Sequence, residues 1–202
     1  DSFSGDTGPA ARRALAEALA RFEAKHPAVK RNRAAIEEIR EVYRRSGGTT
    51  TRFGFPELAA WYERKLDGVQ SLDDFRAADL TLDPDAIVPR SARMTWLALP
   101  DFVMVRDREI PLEYDVEDGA GGVARLRLPE KMARTLVESE LPPLDRPVRF
   151  VVPRGQRGAV RAATLDELQD LLDRPWMPEE VQHASRRHPR HEARKGKRRR
   201  RR

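Results

Sequence analysis

Residues 101–128 read DFVMVRDREIPLEYDVEDGAGGVARLRL, and their periodicity decides the fold class. Ile110, Leu112, Tyr114 and Val116 alternate with polar partners, the period-two pattern of a half-buried strand over 109–118. DFVMV at 101–105 predicts a shorter strand before it. GAGG at 119–122 turns the chain, and VARLRLP follows with Ala124, Leu126 and Leu128 on one face and Arg125 and Arg127 on the other. Three strands in a row place β structure in the second half of a chain whose first half has a different texture.

Working towards the N-terminus, the period becomes helical. PAARRALAEALARFEAKH at 9–26 predicts one helix, with Pro9 in its first turn and Leu15, Leu19 and Phe22 along its apolar stripe. Pro27 interrupts it. The segment at 28–48 resumes the period through Val29, Ile36, Ile39 and Tyr43 and stops at Gly47 and Gly48, where a left-handed cap is easily made. FPELAAWYERKL at 55–66 predicts a third helix with Leu58, Trp61 and Leu66 inward. Ser71 and Asp74 are spaced as a capping box that opens a short fourth. Residues 83–99 hold one or two further turns, broken by Pro89.

Working towards the C-terminus, PEKMARTLVESE at 129–140 predicts a brief helix, and PVRFVVPRG with GAVRAATL predicts a hairpin around a Gly-Gln-Arg-Gly turn. Thr164 and Glu167 form a second capping box at the head of LDELQDLLDRPW. Helices first and strands second predict an α+β fold. The expected division is a helical subdomain at 1–98, a β-rich subdomain with short helices at 99–177, and a disordered basic tail at 178–202.

The charge is as unevenly distributed as the structure. Residues 183–202 carry eleven Lys and Arg against one Glu, a formal +10. Of the chain's 39 basic and 33 acidic residues, 28 and 32 then fall in 1–182, a formal −4. The protein is a mildly acidic body with a strongly basic arm. There is no run of eighteen apolar residues, so no membrane span is expected, and the N-terminal segment lacks the layout of a secretory signal. The absence of Cys removes disulfides, thiolate metal sites and a cysteine nucleophile, and suits a reducing cytoplasm. The chain opens on Asp1 and not Met, which is expected of a fragment or processed product.

Little in the sequence supports catalysis. Of four histidines, only His26 lies outside the basic arm, and it reads as a helix C-terminal residue satisfying carbonyls. His183, His188 and His191 sit among cations in a segment expected to be disordered, which argues against a metal site. The carboxylates fall at caps, turns and helix faces. No G-x-x-x-x-G-K-[ST] loop is present to hold ATP. SGGTTTRFG at 46–54 offers hydroxyls and Arg52 to a phosphate but reads as a helix-terminating loop, and DGAGGVA joins two strands and opens no helix.

Nucleic-acid binding is the class that the residues support. Arg186, Arg187, Arg190, Arg194, Lys195, Lys197, Arg198, Arg199, Arg200, Arg201 and Arg202 can neutralise phosphates and release condensed counterions. The arm has no aromatic residue, so it cannot stack on bases. Arg125 and Arg127, with Arg154, Arg157 and Arg161 near the next hairpin, are candidates for a structured basic surface. The competing reading is a solvated face in a charge-rich protein.

Residues 53–176 resemble the C-terminal region of bacterial Hrp-type DEAH-box ATP-dependent RNA helicases. LPDFVMVRDREIPLEYDVEDGAGGVARLRLPEKM at 99–132 carries the likeness through its Pro-Asp start, short polar turn, PLEY strand, acidic-glycine turn and following strand, and LAAWYERKLDGVQSLDDF at 58–75 extends it. The resemblance implies an accessory region that follows the paired motor domains. ATP, Mg²⁺ and the DEAH motif would belong to that motor, which this chain lacks. It supplies no catalytic residue here. The expectation is a non-catalytic, cytoplasmic accessory region that binds RNA or single-stranded nucleic acid and works with motor domains in cis or in trans. The alternative is a protein-interaction or autoregulatory module in which the acidic body and basic arm find partners or each other.

Overall fold

The computed structural model describes residues 8–175 and is α+β, with seven α-helices and five strands among those residues. The chain forms two compact units. Among the described residues, one comprises those up to Asp101 with Leu112–Ala124 and Leu144–Pro147, and the other Phe102–Pro111, Arg125–Pro143 and those from Val148 to residue 175. The basic residues 186–202 lie outside the described residues.

In the first unit, α1 (Pro9–Ala20) packs on α3 (Phe55–Lys65), and α2 (Pro27–Arg45) packs on α5 (Arg90–Leu97). Leu19, Ile36, Ile39, Leu58, Tyr62, Leu66 and Leu80 are fully buried between them. Burying each such side chain contributes on the order of 1.5–3 kcal/mol before the entropy of ordering the chain is subtracted. The short α4 (Leu72–Ala77) starts as its capping box predicts, with Asp74 N–H donating to Ser71 Oγ at 3.0 Å.

One boundary differs from the sequence expectation. The first helix ends at Ala20 and not at His26. Phe22 turns into the left-handed region at φ 60°, its N–H donates to Leu19 O, and Glu23 N–H donates back to Ala18 O. This is a Schellman ending with Phe where Gly is usual. His26 therefore does not satisfy the carbonyls of a preceding helix. It caps the next one, its Nδ1 accepting from Ala28 N–H at 3.1 Å while Nε2 lies 3.1 Å from Phe75 O.

Three polar side chains are built into this helical core. Asn32 donates to Tyr62 Oη at 2.9 Å and Leu80 O at 2.8 Å, and its Oδ1 accepts from Leu82 N–H at 2.9 Å. Arg93 pairs with Asp85 and, at 3.1 Å, with Glu38. Arg45 pairs with Asp101 and Glu41 and donates to Leu99 O at 2.8 Å. Two guanidinium groups of the same unit lie over the Tyr114 ring, Arg45 at 5.1 Å and Arg146 at 5.0 Å from its centre. Its hydroxyl donates to Pro100 O.

The strands β1 (Phe102–Val105), β2 (Arg108–Glu117), β3 (Gly121–Arg127), β4 (Val148–Pro153) and β5 (Ala159–Ala162) are hydrogen-bonded in sequence order. The β1–β2 pair is antiparallel, with Phe102 opposite Pro111 and Val105 opposite Arg108. Its two-residue turn, Arg106 and Asp107, has φ of 50° and 60°. Positive φ at both central residues matches the twist of a hairpin but is costly without Gly. The Arg106 guanidinium is held on Glu140 by two hydrogen bonds of 2.7 and 2.8 Å and on Thr135, which fixes the turn from the side-chain end.

The β3–β4 pairing runs the other way. Ala124 N–H donates to Pro147 O and Leu128 N–H to Val151 O, so the partners advance together and the strands are parallel. The crossover between them carries α6 (Glu130–Ala133), which packs on β4 and on α7 (Leu165–Asp173). β4 and β5 are antiparallel, the hairpin that the Gly-Gln-Arg-Gly turn predicts. Buried residues of the second unit include Ile110, Leu126, Leu128, Met132, Leu136, Phe150, Val152, Leu168 and Leu172.

Candidate nucleic-acid interface

Strand alternation determines which side chains share a surface in the second unit. Leu126, Leu128, Phe150, Val152, Val160 and Ala162 are buried on one face. The alternate residues face the other way. The parallel bonds put Arg125 beside Arg149 and Arg127 beside Val151, and Val151 lies opposite Arg161 in the antiparallel pair. Arg127, Val151 and Arg161 therefore form a row across three strands. Val151 is only 4% exposed despite facing away from the core, and long arginine stems on either side are suited to cover it.

On β1 and β2 the same alternation exposes Phe102 opposite Pro111 and Met104 opposite Glu109. Phe102 and Met104 are 53% and 56% exposed. A groove of about 330 Å³ is lined by Arg108, Glu109, Pro111, Arg127, Pro129 and Pro153. It combines prolines with two arginines and one carboxylate.

The five structured arginines singled out from the sequence do not form one set. Arg125, Arg127 and Arg161 share this face, joined by Arg149, which the sequence reading did not select. Its signal was present, since Arg149 alternates with buried Phe150 in PVRFVV. Arg161 is exposed, whereas Arg125, Arg127, Arg149 and Arg157 are each engaged by other groups. Arg157 lies in the single 3₁₀ turn between β4 and β5. Arg154 is committed elsewhere. Its guanidinium pairs with Glu130 at the start of α6 and donates to Leu172 O in α7 at 3.2 Å, with its side chain 14% exposed. The Arg154 hydrogen bond holds the Glu130 carboxyl below its ordinary range, against a smaller opposing effect of burial.

Among the described residues, no three His, Asp or Glu side chains converge as metal ligands, and no helix is long and apolar enough to cross a membrane. No protein-family model, curated protein or solved structure matches the chain.

Proposed function

We propose that the chain is a non-catalytic accessory region of a DEAH-type ATP-dependent RNA helicase, contributing nucleic-acid affinity through its basic arm and the arginine-bearing sheet face. The observation that carries this reading is the placement of Arg125, Arg127, Arg149 and Arg161 on the face opposite the core of one unit. A surface of this kind positions phosphates without reading sequence. The arm adds eleven cations within twenty residues, enough for strong counterion release. The resemblance of residues 53–176 supplies the helicase setting and its cytoplasmic location. ATP and Mg²⁺ belong to the motor, and the residues described here offer neither a phosphate loop nor a converging ligand set for them.

The test is fluorescence anisotropy with single-stranded RNA over a salt series. The full chain is expected to bind with affinity that falls steeply with salt, and a chain lacking residues 183–202 to lose most of it. Unchanged tight binding after that deletion would remove the arm from the proposal, and no binding by the full chain would remove the proposal itself.

The alternative is a protein-interaction or autoregulatory module. It is favoured by exposed Phe102 and Met104 on the same face and by the −4 body beside a +10 arm. Adding the arm as a separate peptide distinguishes the two. Autoregulation predicts that the peptide binds the truncated body and competes with RNA.

A further inference from the structure

A second cationic surface lies in the first unit, where the chain passes from α1 to α2. Phe22, Lys25, Pro27, Lys30 and Arg33 line an open groove of about 720 Å³. Lys25, Lys30 and Arg33 are exposed, and none makes an ion pair with a described residue. Lys30 and Arg33 are three residues apart on α2 and so project from one side of it. Glu23, in the same loop, does not line the groove.

The floor of this groove has an unusual backbone. Phe22 holds φ 60°, a conformation that bulky side chains rarely adopt and that Gly would adopt at little cost. In return its ring is brought, half-buried, under the Arg33 guanidinium at 4.5 Å. A strained residue at a surface groove directs attention to what the strain positions. Here it positions a guanidinium over an aromatic ring, in a groove that two lysines also line.

We infer that this groove is a binding site for single-stranded nucleic acid, with Lys25 and Lys30 taking backbone phosphates and the Phe22–Arg33 stack receiving an unpaired base. The carboxylates of an acidic peptide would use the cations but gain nothing from the stack. A nucleotide uses both, because every base has a face to stack and a phosphate to neutralise. A duplex keeps its bases stacked on one another and presents only phosphates, so the site favours single strands. The inference rests on the nucleic-acid reading above but adds a separate site, on a different unit from the arginine-bearing face.

The experiment uses the full chain with a labelled oligouridylate, a blunt RNA duplex of equal length and poly-glutamate as competitor. Lys25→Glu with Lys30→Glu is expected to lower single-strand affinity at least tenfold. The same pair flattens the slope of log K against log salt by about 1.4, the loss of two phosphate contacts. Phe22→Leu is expected to lower affinity severalfold with the salt slope unchanged, a separation that a general loss of charge or folding would not produce. Circular dichroism and melting temperature verify that each variant is folded. Retained affinity in the double variant, within twofold of a full chain that binds, would overturn the groove and leave the arm and sheet face standing. Equal competition by poly-glutamate would overturn the ligand class, and equal affinity for the duplex would overturn the single-strand preference. Failure of the full chain to bind either RNA would end both readings.

Discussion

Asn32 sits on the buried side of α2, both its amide hydrogens donating to Tyr62 and Leu80 and its Oδ1 accepting from Leu82. Asn32→Leu would leave the Leu82 N–H and Leu80 carbonyl without partners in an apolar setting. The expected cost is about 1–3 kcal/mol, read as a fall in melting temperature. Gly122 is as constrained by backbone: a Cβ there would meet Gly47 Cα at 2.8 Å. Gly122→Ala is expected to destabilise by about 1–3 kcal/mol in chemical denaturation, because neither chain segment can move as a side chain would. The arginines separate by the same logic. Arg161→Glu should reduce the salt slope of RNA binding by roughly 0.7 or more and leave the melting temperature in place. Arg154→Ala should lower the melting temperature, since it releases Glu130 and Leu172 O. At this scale the sequence was a weak guide. Arg154 and Arg161 are the same residue type in the same hairpin, and only the turn geometry sends one inward.

Helices and strands were more legible than their ends and partners. The apolar spacing from Val29 to Tyr43 and the two glycines at 47 and 48 predict α2 closely, because those signals are local. The end of α1 was not legible, since Phe at a left-handed position carries no signature of the kind Gly provides. The parallel β3–β4 pairing was equally hidden. Alternation shows that a segment is a strand but says nothing of the direction of its neighbour. Local caps are therefore the safest element-level predictions. Thr164 Oγ1 accepts from Glu167 N–H at 3.2 Å at the head of α7, so Thr164→Ala is expected to destabilise by about 1 kcal/mol. Amide exchange in the first turn of α7 should rise with it. Near the other end of α2, Glu41 is opposed by burial but held below its ordinary pKa by Arg45 and Arg44. A carboxyl with a lowered folded pKa binds fewer protons folded than unfolded. Its stabilisation is complete above the unfolded value of about 4.3 and is lost as pH falls through the folded one. The melting temperature should therefore be flat from neutral pH to about 5 and drop below it, with a smaller drop in Glu41→Gln.

For the molecule as a whole, the order of helical and alternating periods foretold the α+β class, and the distribution of charge sets an acidic body against a basic arm. Neither could foretell that each compact unit is assembled from separate stretches of chain. The first unit takes Leu112–Ala124 and Leu144–Pro147 in addition to the helices, and the second takes Phe102–Pro111 before them. That interleaving bears on synthesis as well as stability. Arg146 donates to Arg45 O at 2.8 Å and lies over the Tyr114 ring, contacts across 101 and 32 positions of sequence. A ribosome adding about 5–20 residues per second must make the next hundred residues before Arg45 meets its last partner. The helices can collapse early, but the first unit cannot close until Pro147 has emerged, by which time half of the second is already waiting beside the exit tunnel.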